Sequence, residues 1–383
     1  MKKCLIGIIL MLCTLWMAVG IDMPAMAADL EGGGLRRDVE ALKKEVADLK
    51  AQIAMEKKED SAVPEWISRI NMGGGLSAGG FYASNPGKDT SDNRFLLSNF
   101  LVELSSAEND LPISFAGAFG ETSAPSLLDP PDNNTDFDIE YASVTLGPFA
   151  GASLEVGLLQ PNTGYEDTYT MKDPNPLCSV TGSQQPYNAY GARLDYVFSN
   201  VETYAGYFKT RLDDEEYKTN GKYADNSWEI GAVINFADNI NLSAYNYRVN
   251  GLRNLTGLVF EYTVGNLYMA INADYWRWDK SMKDYYGRRS AKACAFYIEP
   301  SFGKFSCPVR LEFVNQGGSK IYSESTQAKR IYSASVTPTW HFSENTYFRV
   351  SSAYVNADGA FADHRGNIEN SRVYLAAETG FLF

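Results

Sequence analysis

Past residue 28 the chain has no apolar run of the ~18 residues that a membrane-spanning helix needs, so no such helix is available. Histidine is nearly missing. His341 and His364 are the only two in 383 residues, and they fall in different connecting segments, which leaves no imidazole-based metal or catalytic centre. Cysteine is scarce as well, five in all, and only Cys178, Cys294 and Cys307 lie beyond the first 27 residues. An odd count without metal-ligand spacing encodes neither a disulfide framework nor a metal site. Positive charge is in deficit, with 34 Lys and Arg against 47 Asp and Glu, a net −13 that speaks against nucleic acid as a partner. There is no haem-attachment motif, and the glycines at 73–75 and 79–80 are not followed by Gly-Lys-Ser/Thr, so no phosphate loop is present. No Ser stands out as a partner for His364, Ser352 and Ser371 included. Neither an enzyme nor a bound cofactor is expected.

What the chain does have is aromatic residues, 24 Tyr and 20 Phe among them. It also has a patterned N-terminus. Lys2 and Lys3 precede an apolar stretch from Leu5 to Leu15, and Ala25-Met26-Ala27 fits a small-x-small cleavage site. Residues 1–27 therefore read as a secretory signal peptide. A lipoprotein anchor at Cys13 does not fit, because Leu12 stands where a small residue is required. A glycine-rich lead-in occupies 28–34.

Over 35–56 the apolar residues Leu35, Val39, Leu42, Val46, Leu49 and Ile53 recur at spacings of 4, 3, 4, 3 and 4. That is the a/d seam of a coiled coil, with β-branched residues at a and Leu at d. Arg36, Lys43 and Lys50 fall at e, and Asp38, Glu45 and Gln52 at g. In a parallel assembly Asp38 faces Lys43 of a neighbouring copy, and Glu45 faces Lys50. The seam leans towards a dimer, whereas barrels of the kind described next favour a trimer. Residues 57–65, with Pro64, read as a linker.

From Trp66 to Phe383 the helical period gives way to segments of about ten residues with alternating polarity, the signature of an outer-membrane β-barrel. Sixteen antiparallel strands are expected, at 66–83, 94–107, 112–120, 137–147, 149–160, 186–198, 201–210, 227–236, 240–249, 255–264, 267–279, 291–302, 308–316, 331–340, 346–356 and 371–383. Their connections alternate short and long. The short ones (199–200, 237–239, 265–266) read as periplasmic turns and the long ones (84–93, 121–136, 161–185, 211–226, 280–290, 317–330, 357–370) as outside loops. The exception is 250–254, an outside loop of about five residues. Both chain ends and the coiled coil then lie in the periplasm of a Gram-negative cell. Phe149, Phe198, Phe236, Phe302, Trp340 and Phe383 fall at periplasmic strand ends, and Trp228 and Trp276 near outer ends, where an interfacial girdle needs them.

In the last strand Val373, Leu375, Ala377, Thr379 and Phe381 share one face, and Arg372, Glu378 and Gly380 the other. With Phe381 and the terminal Phe383, it resembles the recognition signal of outer-membrane barrels, which implies the barrel-assembly machinery as a partner. Outer-membrane lipid and lipopolysaccharide are the surrounding partners. The stretch Leu154-Glu155-Val156-Gly157-Leu158, followed by Asn162-Thr163-Gly164-Tyr165-Glu166, resembles the OmpL-like β-barrel porins. The resemblance implies passive passage of small hydrophilic solutes or ions.

The longest loop, 161–185, resembles the third loop of sixteen-stranded porins, which folds inward and narrows the pore. It carries Tyr165, Glu166, Asp167, Lys172 and Asp173, stiffened by Pro174 and Pro176. Alternation turns Glu155, Arg193, Asp195, Glu229, Arg310, Glu312, Arg349, Arg372 and Glu378 towards the lumen, since Arg or Lys at mid-bilayer on the lipid face costs about 2–4 kcal/mol. Strands 4, 7 and 9 carry no clear alternation and yield no face assignment. The wall holds both signs with an acidic surplus, which predicts weak cation preference. The competing expectation is a barrel without transport, either a tether to the cell wall through the coiled coil or a sheath for a partner protein.

Overall fold

A computed structural model describes residues 70–383 apart from 88–91, 107–111, 129–136, 187, 210–225, 281–289, 318, 320 and 323–327. The expected signal peptide, lead-in, coiled coil and linker lie outside the described residues.

Residues 70–383 fold into a closed, sixteen-stranded antiparallel barrel. Its strands are β1 (Ile70–Ala83), β2 (Asn93–Ser106), β3 (Ile113–Thr122), β4 (Asp138–Phe149), β5 (Ala152–Leu159), β6 (Ala189–Phe198), β7 (Val201–Lys209) and β8 (Asn226–Ala237). They continue with β9 (Ile240–Val249), β10 (Arg253–Val264), β11 (Leu267–Trp278) and β12 (Ser290–Phe302). Strand β13 runs in two pieces, Phe305–Ser306 and Val309–Asn315, and β14 in two more, Arg330–Val336 and Thr339–His341. The last two are β15 (Thr346–Ala362) and β16 (Ile368–Leu382). Each break falls at a proline, Pro308 or Pro338, which has no N–H to give to the ladder. Their carbonyls still accept, from Thr337 at 2.9 Å and Val350 at 3.0 Å.

Strand β1 closes the ring. It pairs with β2 on one side and with β16 on the other, from Gly75 opposite Leu382 to Ala83 opposite Tyr374. Closure removes every sheet edge, the condition for strands to cross hydrocarbon without unpaired backbone groups. At one end of the barrel the strands are joined by two-residue turns such as Ala150-Gly151 and Gly265-Asn266. Gly151 (φ +86°) and Gly265 (φ +56°) adopt the left-handed conformation that such hairpins require.

The wall alternates as the sequence predicts. Along β16, Arg372, Tyr374, Ala376, Glu378 and Gly380 are buried, and Val373, Leu375, Ala377, Thr379 and Phe381 are exposed. The strands left unassigned acquire faces for physical reasons. In β4 a register shift opposite Ala118 and Phe119 inserts an extra residue, which interrupts the alternation at Glu140 and Tyr141. On β7 the buried residues are Tyr204, Gly206 and Phe208, and on β9 they are Tyr245, Tyr247 and Val249. Both inner faces are apolar because loops pack against them, so polarity does not mark the inside.

Three expectations are corrected. Trp276 is no part of an outer girdle; it is wholly buried, sharing the inner face with Asn272 and Asp274, and the Arg253 guanidinium lies 4.7 Å over its ring. The last hairpin extends through residues read as loop, so its loop shrinks to 363–367, held by the Asp363 carboxylate accepting from the Arg365 and Asn367 N–H groups. A register shift between Asn356 and Phe361 makes that extension. The connection between β9 and β10 is shorter still than expected, 250–252.

Gly157, inside the sequence stretch noted above, has φ +153°, and an added Cβ would run into the Ala142 carbonyl oxygen of the neighbouring strand. Gly157→Ala is expected to destabilise the folded barrel by about 1–3 kcal/mol. A lower urea midpoint in detergent micelles checks this.

Candidate functional site

The connection between β5 and β6, residues 160–188, does not stay at the rim. Its side chains and backbone bond to the inner faces of strands far apart around the ring. Near its start, the Asn162 N–H donates to Glu229 on β8 at 3.0 Å, and the Tyr204 hydroxyl on β7 donates to the Asn162 carbonyl at 2.7 Å. Further on, Asn99 on β2 donates to Thr170 at 3.0 Å. Across the barrel, Thr337 on β14 donates to Asn175 at 2.9 Å.

Two buried arginines hold the far side. Arg310 on β13 is 1% exposed and pairs with Glu166 of the loop at 2.6 Å, while donating to the Leu177 carbonyl at 3.0 Å. Glu166 also accepts from the Ser179 N–H at 2.8 Å and the Tyr297 hydroxyl at 3.2 Å. Glu312, two residues along the same face, accepts from the Thr181 N–H at 2.9 Å and the Ser333 hydroxyl at 2.5 Å. Arg349 on β15 pairs with Glu378 on β16 at 2.8 Å and reaches the loop through the carbonyls of Asp173 at 2.6 Å and Thr170 at 2.9 Å. Arg349 thus joins a wall carboxylate to loop backbone, and Arg310 ties a loop carboxylate and loop backbone to the wall, tasks that the guanidinium's fan of donors suits.

The other predicted loop residues also have definite places. Tyr165 packs against Tyr297, ring centroids 4.3 Å apart, and stacks on Tyr268 at 6.3 Å. Asp167 accepts from the Tyr169 N–H at 2.9 Å, and its own N–H donates to Asp173 at 3.1 Å. Burial, reinforced by Glu166, pushes the Asp173 carboxyl well above the usual carboxylate range. Lys172 bridges to Glu103 on β2 at 2.7 Å. On the wall, Arg193 meets Glu155 at 2.6 Å, Asp195 at 3.3 Å and Glu229 at 3.6 Å. Arg372 lies apart from this network and donates to the carbonyls of Asn85 and Leu128 in two outer connections.

Between the loop and the wall lies a cavity of about 560 Å³. Six carboxylates line it, from Glu103, Glu140, Glu155, Glu166, Asp167 and Asp173, against the two cations of Lys172 and Arg193. A second cavity of about 230 Å³ shares the loop stretch around Gln160, Glu166 and Thr168 and is lined further by Thr122 and Ser126. The outer half of the interior holds a large apolar cluster besides a few buried polar groups such as Asp274 and Arg372. Leu127, Leu177, Val180, Ile321 and Tyr322 from connecting segments form one packed cluster with inward residues such as Phe208, Trp276 and Val355.

Sequence reasoning missed Glu103, Glu140, Asn99, Asn175, Tyr204 and Tyr297. The alternation along β12, where Ala291, Ala293 and Ala295 share a face with Tyr297, was available to find the last. Asn99 lies past a register shift opposite Ser77 and Ala78 that alternation cannot anticipate. His341 ends β14 on the turn side and His364 sits in the 363–367 loop at the opposite end. No group of metal-ligating side chains occurs among the described residues.

The family model described as "Putative beta-barrel porin-2, OmpL-like" matches residues 69–383. The chain belongs to this family of OmpL-like porins. Among solved structures, the porin is similar to the outer-membrane channel DcaP of Acinetobacter baumannii, at 13% identity and TM-score 0.56, covering 82% of this chain and 97% of that one. It is also similar to a mutant of the Rh. blastica porin, at 16% identity and TM-score 0.51, covering 82% and 100%. At these identities the likeness is one of fold. No curated protein matches the chain. Family and fold are those of outer-membrane channel proteins rather than enzymes, and they place the porin in the outer membrane.

Proposed function

We propose that the porin lets small hydrophilic solutes and ions diffuse passively across the outer membrane, with a weak preference for cations, and that loop 160–188 narrows its pore. The observation that carries this reading is the cavity beside the loop. Its six carboxylates and two cations give a formal charge of −4, which the neutral tendency of buried Asp173 and the pairing of Glu166 with Arg310 reduce without reversing its sign. Both cations are neutralised in place, Lys172 by Glu103 and Arg193 by Glu155, so the remaining field is negative. Low-dielectric walls focus that field on a permeating ion. The wall charges Glu155, Arg193, Asp195, Glu229, Arg310, Glu312, Arg349, Arg372 and Glu378 serve in this reading as lumen-facing groups. Several of them hold the loop rather than line open water.

Reversal potentials of the purified porin in a planar bilayer under a salt gradient test the preference. The expected sign is that of a modestly cation-selective channel; an anion-selective sign overturns it. Parallel self-association, with three copies favoured, belongs to the same proposal. It is supported by an open apolar depression of about 710 Å³ on the outer face over β2–β5, lined by Phe115, Gly117, Phe119 and Val144. Recognition by the barrel-assembly machinery through Phe381 and Phe383 belongs to it too.

The second reading, a barrel that does not conduct, is favoured by the apolar packing of loop residues in the outer half. The bilayer recording separates the two: discrete open-channel steps support the porin, and a silent membrane containing folded protein supports a scaffold or sheath.

A further inference from the structure

The outward face of the barrel near its loop-bearing end carries an arc of cations that the channel reading does not use. Arg248 on β9 and Arg277 on β11 are both exposed and lie on one rung, joined through Asn254 of β10, which pairs with each of them. One same-face step down, Lys292 on β12 and Arg330 on β14 are joined in the same way through Asn315 of β13. Cross-strand partners point to the same face, so all four side chains project outward. Strands lie ~4.8 Å apart, which spreads the arc over about 24 Å of barrel circumference.

Two features set this arc apart from scattered surface charge. In a chain of net charge −13, no carboxylate stands on the outward faces of β9–β14 among the described residues. Glu261, Asp274, Glu299 and Glu312 all fall at inward positions of these strands. Directly below the cations comes an aromatic layer. Tyr275 lies beside Lys292, whose ammonium is 5.9 Å from the ring centroid, and Phe313 and Tyr332 pair at 5.2 Å. Exposed aliphatic residues such as Leu311 and Ile271 follow beneath. Amphipathic rings mark the level where acyl chains meet headgroups, so the cations stand at headgroup level. Guanidinium groups bind phosphate through paired, charge-assisted hydrogen bonds.

We propose that Arg248, Arg277, Lys292 and Arg330 form a docking site on the barrel's outer wall for the phosphates of a bisphosphorylated acyl glycolipid of the outer leaflet. The acyl chains lie against the aliphatic belt below. This site rests on the outer-membrane location and is independent of conduction.

The test uses full-length protein in phosphatidylcholine vesicles containing bisphosphorylated lipid A, with lipid retention after detergent extraction read by native mass spectrometry. The variant R248Q/R277Q/K292Q/R330Q is expected to retain at least about tenfold less lipid A than the unmodified protein. Its single-channel conductance is expected to be unchanged, because none of the four residues lines the cavity. Equal retention by the variant overturns the site. So does equal retention of dephosphorylated lipid A, which would mean the acyl chains suffice, or equal retention of phosphatidylglycerol, which would mean any anionic lipid serves. A matching loss in K304Q, an exposed cation at the turn end, also overturns it. Heat-modifiable migration in gels verifies folding, and the smaller variant R277Q/K292Q carries the same comparison if the fourfold one does not fold.

Discussion

Replacing Arg310 with alanine will free the inserted loop and raise single-channel conductance. Arg310 is 1% exposed and is paired to Glu166 at 2.6 Å, with Glu312 alongside at 3.6 Å. Its removal leaves two buried carboxylates, Glu166 of the loop and Glu312 of the wall, without their counter-charge. Breaking a buried pair from one side costs about 3–5 kcal/mol, far more than a surface pair. The cheapest relief is for Glu166 to swing out into water, taking with it the Tyr165 ring that rests on Tyr297. Larger and noisier conductance steps are expected, together with protease cleavage between residues 160 and 188. The double variant E166M/R310M is expected to recover most of the original behaviour, because it removes both charges at once. Glu312 keeps the N–H groups of Val180 and Thr181 and the Ser333 hydroxyl in that variant. Unchanged conductance and protease resistance in R310A would contradict the proposal that the loop narrows the pore.

The second large effect concerns selectivity. Exchanging Glu103 and Glu140 for lysine raises the formal charge of the cavity lining by four, from −4 to zero. The E103K change also sets Lys172 free, since Glu103 is its partner at 2.7 Å. Charges within a Debye length of ~8 Å act on a permeating ion almost unscreened at physiological salt, so the lining outweighs charge elsewhere. The reversal potential is expected to collapse towards that of a non-selective pore, and E103Q/E140Q to fall about midway, as expected for a focused field. A double-lysine variant with the same reversal potential as the unmodified protein would overturn the proposal that this lining sets the selectivity.

The order and number of strands were legible because a wall between lipid and an interior must alternate. Leu311 and Phe313 outside require Arg310 and Glu312 inside, and a single charge on the wrong face is costly enough to fix the phase. The turns were legible for a different reason: Gly265 and Gly303 permit backbone angles that few other residues adopt. Legibility failed where the interior stops being polar. Trp276 reads as a girdle residue only if the inner face near the rim is wet, and there it is packed with Leu177, Ile321 and Tyr322. Strands β7 and β9 gave no alternation for the same cause.

The third loop shows the same division. Its length, its prolines and the charges at Glu166, Lys172 and Asp173 marked it out along the chain. Its contacts join residues far apart in the chain, 131 positions for Thr181 to Glu312 and 179 for Thr170 to Arg349, and no local pattern encodes such pairs.

By itself, the sequence determined that residues 70–383 make a closed antiparallel barrel and which face most of its strands turn inward, because period-two polarity and turn chemistry are local properties of the chain. Only the tertiary structure decided that Arg310 and Arg349 are anchors for the inserted loop, that a large apolar cluster fills much of the outer interior, and that the cavity carboxylates gather beside the loop. Those outcomes depend on barrel closure, which brings side chains from strands distant in sequence within hydrogen-bonding reach across the interior.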